Sequence, residues 1–266
     1  MITFFRKDAR HFQLVFLSLF LIYGTLFLAW HLQITKFLTI GIGAVVIHTA
    51  LVAIKKANWS GLKSTMITAL GLCLLLKTSS IAPGLIAISA AILSKIILRY
   101  KGSHHFNPAN FGLLVAVIFC QDAWISPGQW GSTWVLVSFF TVCALMVLMR
   151  VGRIDTSLTF ILTLFGLEFI RQIVFLNWGM DVLIHQFTNG SLLLFTFFMI
   201  TDPKTTPKHP TARVFWAFII GVVSFVIMEL FYLPSAPLWV LLFSPPLTIF
   251  LNQFYPAKSF QWATKS

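Results

Sequence analysis

Ser103-His104-His105-Phe106-Asn107-Pro108-Ala109-Asn110-Phe111-Gly112 interrupts an otherwise apolar chain, and so does Ile200-Thr201-Asp202-Pro203-Lys204-Thr205-Thr206-Pro207. Each polar, proline-containing stretch adjoins an apolar run too short to cross a bilayer alone, since a full span needs about 20 residues. In a membrane protein this pattern predicts broken helices. At such breaks, freed backbone groups can hold a solute, an ion or a cofactor.

Composition establishes the membrane setting. Hydrophobic residues make up 58% of the 266 and charged residues only 10%, where a soluble domain carries about 25% charged. Mean hydropathy is +0.89. The chain therefore reads as an all-α integral membrane protein in one transmembrane domain over 1–266. No stretch of soluble composition is long enough for a second domain.

About ten apolar segments follow from run length and flanking charge: 12–30, 37–54, 64–76, 82–98, 108–121, 132–149, 156–176, 189–200, 212–231 and 234–252. The third, fifth and eighth are short. The first, Phe12 to Trp30, is long for a signal sequence and lacks a small-x-small exit, so it reads as a retained helix.

Net charge is +12, and its placement is topological. With the N-terminus inside, cytoplasmic segments hold Arg6, Lys7, Arg10, Lys55, Lys56, Lys63, Arg99, Lys101, Arg150, Arg153, Lys204, Lys208, Arg213, Lys258 and Lys265. The opposite side holds only Lys36, Lys77 and Arg171 among the basic residues. That asymmetry predicts both termini in the cytoplasm and an even number of spans. No basic, aromatic-interleaved region offers a nucleic-acid site. Cys73, Cys120 and Cys143 lie in or beside apolar runs without a CxxC pair, and read as small buried side chains.

The segments fall into two similar sets, repeat 1 over about 12–121 and repeat 2 over about 132–252, each with a short apolar run beside a polar break. Five segments is an odd number, so the two repeats are expected to be inverted in the membrane, with the site at their interface.

The breaks supply the candidate residues. Thr78 and Ser79, with Ser80, sit after a short run; they read as a cap and turn for a helix led by Pro83, or as a hydroxyl-lined opening with Lys77 as an anion partner. Asn107 reads as an N-cap ahead of Pro108, while Ala109, Asn110 and Gly112 permit close approach of a backbone or a flat ring. Asp202 before Pro203 reads as a helix start, and Thr205, Thr206 and Pro207 as a further turn with a second candidate N-cap. Glu168 and Arg171, three apart in an apolar run, are expected to pair, and Glu229 to be interfacial. His104 and His105 are adjacent and diverge on a helix, so no metal site is expected. No nucleotide loop, HExxH or nucleophile elbow occurs, and no catalytic residue is assigned.

Phe106-Asn107-Pro108-Ala109-Asn110, within Lys95 to Gly112, resembles the FNPA region of a known family. That family comprises the RnfD component of the Rnf electron-transport complex and the NqrB component of the sodium-pumping NADH:quinone oxidoreductase. Phe198-Met199-Ile200-Thr201-Asp202-Pro203-Lys204-Thr205-Thr206-Pro207 resembles the FFMATDP…TTP segment of the same family. The resemblance implies ten helices in two inverted five-helix repeats, akin to urea transporters. It also implies FMN joined to a Thr in an S-x-A-T motif after the fifth helix, and electron transfer coupled to sodium or proton movement. Here the loop reads Asp122-Ala123-Trp124-Ile125-Ser126-Pro127-Gly128-Gln129-Trp130-Gly131-Ser132-Thr133, with no S-x-A-T around Thr133, so covalent FMN is not expected. The Trp-Ile-Ser-Pro-Gly-Gln-Trp-Gly stretch resembles instead the stand-alone, UnbU-like branch.

The resulting expectation is a bacterial inner-membrane protein acting in electron transfer or coupled ion transport. It holds flavin (FMN or riboflavin) or quinone non-covalently between the two broken-helix regions, through Thr78, Ser79, Asn107, Asn110, Asp202, Thr205 and Thr206. The bilayer and redox proteins are its expected partners. The alternatives are a transporter or channel for a small polar solute on the same fold, and a scaffold that docks a redox partner.

Overall fold

The computed structural model describes residues 8–28, 30–100, 102–126, 134–258 and 260. The chain divides into two compact units, Met1–Trp130 with Gln261–Ser266, and Gly131–Phe260.

The first unit opens with two long helices, α1 (Ala9–Phe27) and α2 (Ile34–Ala53). Asp8 caps α1 by accepting from the N–H of Arg10 at 3.0 Å. Gly24 admits the Trp30 ring, which an added Cβ would meet at 2.1 Å, so α1 and the turn after it close on each other.

Next come α3 (Leu62–Leu75), β1 (Leu76–Thr78), α4 (Ala82–Ile97), a hairpin of β2 (Arg99–Tyr100) and β3 (Ser103–His104), α5 (Pro108–Phe119) and β4 (Ala123–Ile125). Gly102, at φ +80, makes the left-handed step of the hairpin. The short helices gain reach from the strands. α3 rises about 21 Å and three strand residues add about 10 Å, which together match a hydrocarbon core of about 30 Å. β1 and β4 pair antiparallel, Leu76 with Ile125 and Thr78 with Ala123. The ladder satisfies the non-helical backbone that a bilayer cannot. Ser126 N–H to the Leu75 carbonyl (2.7 Å) and Ser79 N–H to that of Asp122 (3.0 Å) extend it.

α4 and α5 pack closely because position 112 is glycine. A Cβ there would lie 2.2 Å from the Ala87 carbonyl oxygen and 2.7 Å from the Ala91 Cβ. The small residues 109 and 112 therefore admit helices: Ala109 faces Gly71 of α3 and Gly112 faces α4.

The second unit contains α6 (Trp134–Val151) and α7 (Ile154–Phe169), which continues as a π-turn over Ile170–Phe175. α8 (Met180–Phe187) and α9 (Gly190–Leu194) follow, with a second π-turn at Phe195–Met199. α10 (Pro210–Phe231), α11 (Ala236–Phe243) and α12 (Pro245–Phe254) complete it. Gly152, at φ +66, ends α6 in the left-handed conformation that glycine tolerates. Gly221 on α10 lies against Thr163 and the Phe160 carbonyl of α7, so these two long helices also meet at a glycine.

Among the described residues, four helices are long and apolar enough to cross a membrane, and six if the bent pairs α8–α9 (50°) and α11–α12 (52°) each count as one span. With α3, α4, α5 and α6 the described residues hold ten apolar segments, as the run lengths predict, and the protein is an all-α multi-pass membrane protein. Its outward faces carry Leu26, Phe119, Phe175, Phe231 and Phe243, all largely exposed, as a lipid-facing surface does.

Three local expectations are corrected. The break at the eighth segment, 189–200, lies ahead of it at Thr188–Asn189, where it meets α8 to form one bent span, while Asp202 to Pro207 is the turn that follows it. Asp202 and Thr206 start no helix: α10 begins at Pro210, after His209. The tenth segment bends at Ser244, ahead of Pro245 and Pro246, whose rings and missing N–H groups cannot continue a helix.

Candidate functional site

In the first unit the polar residues separate into two places. Asn107 caps α5, its Oδ1 accepting from the Asn110 N–H at 3.2 Å, with Pro108 at the first helical position. Asn110 is 1% exposed, an amide buried inside an apolar unit. Thr78 and Ser79 lie by β4, at the other end of α5, about 18 Å along a 12-residue helix. The structure therefore does not bring these two pairs together.

The hydroxyl cluster also differs from a cap. α4 has no side-chain cap. The Thr78 hydroxyl donates to the Ser80 carbonyl at 2.7 Å, and the Thr78 carbonyl accepts from Lys36. Ser80 donates to Asp122 Oδ2 from its N–H (3.1 Å) and its hydroxyl (2.5 Å). The Ser80 hydroxyl above all, then the backbone N–H groups of Asp122 and Ser80 and nearby Lys36, hold the Asp122 carboxyl below the usual carboxylate range against the opposing effect of burial. Lys77 lies over the Trp30 ring at 4.1 Å and near Phe37 at 5.5 Å, an aromatic cage for its ammonium.

In the second unit the Asp202 turn is closed on itself. The Asp202 carbonyl accepts from the Thr205 and Thr206 N–H groups, each at 3.1 Å, and from their hydroxyls at 3.3 and 3.1 Å. Asp202 Oδ1 accepts from the Lys204 N–H at 3.0 Å. Arg153 Nε donates to Thr206 Oγ1 at 3.2 Å, so Arg153, Thr206 and the Asp202 carbonyl form a chain. Arg153 is buried, yet no ion pair joins it to a carboxylate among the described residues. Burial, then the neighbouring charge of Arg213, brings Arg153 down to about 10 against the pull of Asp155 and Asp202. Arg213 is better matched: Nε and Nη2 donate to Asp155 Oδ2 at 2.9 and 2.5 Å, and Nη1 to the Lys208 carbonyl at 2.9 Å.

The expected Glu168–Arg171 pair is replaced. Arg171 pairs with Glu229 on α10. Glu168, 0% exposed, accepts from Gln172 Nε2 at 2.8 Å and from Gln186 Nε2 at 3.1 Å. The sequence signal for this was the four-residue spacing of Glu168 and Gln172, which shares a helix face as well as a three-residue spacing does. Gln186 carried no such signal, because it lies on α8 outside the apolar runs.

The Pro127–Thr133 part of the loop in which covalent flavin attachment was sought lies outside the described residues; its sequence lacks the attachment motif. The first unit offers the buried amides of Asn107 and Asn110, and the second unit a carboxylate with hydroxyls at the Asp202 turn. Gly112 offers no flat opening, because α4 fills it.

This arrangement, apolar helices broken at polar turns, is that of a multi-pass membrane protein with polar chemistry inside its spans. Residues 120–261, more than half of the chain, match the NQR2, RnfD, RnfE family, and the chain belongs to that family. The D component of the ion-translocating oxidoreductase complex of Shewanella frigidimarina (strain NCIMB 400) is 25% identical over 130 residues, 49% of this chain and 37% of that protein. The match thus covers little more than a third of the relative's length.

Proposed function

We propose that the protein acts as a membrane component of the ion-translocating oxidoreductase type, in electron transfer or coupled ion movement. Family membership gives the class, and the observation that carries the reading is Asn110: an amide 1% exposed at the start of a 12-residue apolar helix. A buried amide in a span is expensive unless it serves binding or bonding. The ligand of this reading is FMN or riboflavin held non-covalently, or a quinone. The first unit carries one candidate group, Asn107 and Asn110, with Thr78 and Ser79 as a separate polar group near Asp122. The second unit carries its own candidate group, Asp202, Thr205 and Thr206, with Arg153 beside them.

The loop charges support both termini on the cytoplasmic face of a bacterial inner membrane. Five apolar segments in each unit, an odd number, support an inverted repeat, and the Trp124-to-Gly131 stretch supports the stand-alone, UnbU-like branch. The partners of the reading are redox proteins.

The test is the visible spectrum and in-gel fluorescence of the purified chain, before and after incubation with riboflavin or FMN. A yellow, fluorescent band that is lost in Asn110→Leu is expected. A colourless protein that takes up neither flavin overturns the flavin reading. Uptake of a small polar solute by proteoliposomes, abolished in Asp202→Ala, then favours a transporter.

A further inference from the structure

We propose that Glu168, Gln172 and Gln186 form a proton-binding site within the membrane span of the second unit, with the Glu168 carboxylate as the group that takes up and releases the proton. The inference rests on the geometry of that unit alone and holds whether or not a flavin is bound.

Glu168 lies on α7 about 10 Å from the Phe175 end of the span that runs from Ile154 to Phe175. It is 0% exposed. A carboxylate so placed is stable either with a counter-ion in contact or carrying a proton. No Lys, Arg or His nitrogen makes an ion pair with it among the described residues; Arg171, on the same helix, is engaged by Glu229. α8, which packs on α7, carries two further titratable groups, Asp181 and His185, both exposed.

The amides show how a proton is accommodated. Gln172 Nε2 donates to Glu168 Oε2 at 2.8 Å and to Gln186 Oε1 at 2.5 Å, and Gln186 Nε2 donates to Glu168 Oε1 at 3.1 Å. That triangle suits a carboxylate, since both its oxygens accept. It leaves one buried atom unmatched: Gln172 Oε1 has no donor, although Gln172 is only 5% exposed. A proton on Glu168 supplies one. Acid and amide then close a two-bond pair, with the amide N–H donating to one carboxyl oxygen and the carboxyl O–H to the amide oxygen. Uptake of one proton from water thus neutralises a buried charge and satisfies the orphaned oxygen together. The π-turn over Ile170–Phe175 widens the helix at this point, and such turns recur at functional positions.

A metal cation fits less well. Hard divalent ions gather roughly six oxygens, and here both amides turn nitrogens toward the carboxylate. The described residues contain no group of three His, Cys, Asp or Glu that could hold a metal.

Infrared difference spectra of the chain in liposomes, recorded across pH, test the proposal. Beside the bands of the other carboxyls, a carboxylic C=O band that titrates, shifts in heavy water and disappears in Glu168→Gln is expected, while Glu229→Gln keeps it. Gln172→Leu should keep the band but move it to higher frequency, because that C=O loses a donor; this variant carries the test if Glu168→Gln does not fold. Titrating carboxyl bands that are identical in the parent chain and in Glu168→Gln overturn the proposal. So does a band whose titration moves when sodium chloride replaces choline chloride, which marks a sodium site instead.

Discussion

Arg171 on the π-turn after α7 pairs with Glu229 on α10, although Glu168 stands three residues before it on its own helix. The pair is only partly shielded, with side chains 39% and 23% exposed. Double-mutant cycles in Arg171→Met, Glu229→Gln and Glu168→Gln backgrounds, read by thermal unfolding, should give a coupling of about 0.2–1 kcal/mol for Arg171 with Glu229. Coupling of Arg171 with Glu168 should be clearly smaller, and the reverse order would contradict the pairing.

The contact of α4 with α5 depends on the bare backbone at Gly112. A methyl group there meets the Ala87 carbonyl oxygen at 2.2 Å, and a backbone oxygen cannot swing aside as a side chain does. Gly112→Ala should destabilise by about 1–3 kcal/mol. Gly41→Ala on α2, where a Cβ meets nothing within 4 Å, should be neutral or stabilising by up to about 1 kcal/mol. Equal melting shifts for the two variants would remove the argument.

The helical segments were legible because run length and flanking charge are local properties: the N-cap at Asn107 with Pro108 behind it was read from two adjacent residues and is present. What was not legible depended on distant partners. Leu76-Lys77-Thr78 becomes a strand only because Ala123-Trp124-Ile125 lies opposite to pair with it, and neither triplet announces itself. Arg171 had an eligible local partner and a better remote one. Asp202-Pro203 has the composition of a helix start, yet Thr205 and Thr206 fold back onto its carbonyl and close a turn. The bend at Ser244 did have a signal, the two prolines after it, which a reading by apolar run length alone passed over.

Asp155 holds Arg213 in a buried place. The Arg213 side chain is 8% exposed and makes two contacts to one carboxylate oxygen. Asp155→Asn leaves that guanidinium, and the buried Arg153 nearby, without their nearest counter-charge. Removing one partner of a buried pair costs about 3–5 kcal/mol, and the 27% exposure of Asp155 places the expected loss at or below the lower end. Thr206→Val removes the one hydroxyl that accepts from Arg153 Nε, and should cost about 1–3 kcal/mol. Denaturant midpoints check both, and Asp155→Asn should be the more harmful.

Asp122 ties the end of β1 to the start of β4 through the Ser80 N–H and hydroxyl. Because these donors hold its carboxyl below the usual range, the tie is complete above the ordinary aspartate value of about 3.9 and is lost as pH falls through the lower folded value. Acidification should therefore open this junction. Hydrogen exchange at the Ser80 amide, compared with amides inside α4 to correct for intrinsic rates, should accelerate over that window. Asp122→Asn should show the accelerated exchange already at neutral pH and no further change on acidification. An Asp122→Asn protein that keeps both the neutral-pH protection and the acid response would mean that the strands alone hold the junction, with the carboxylate a bystander.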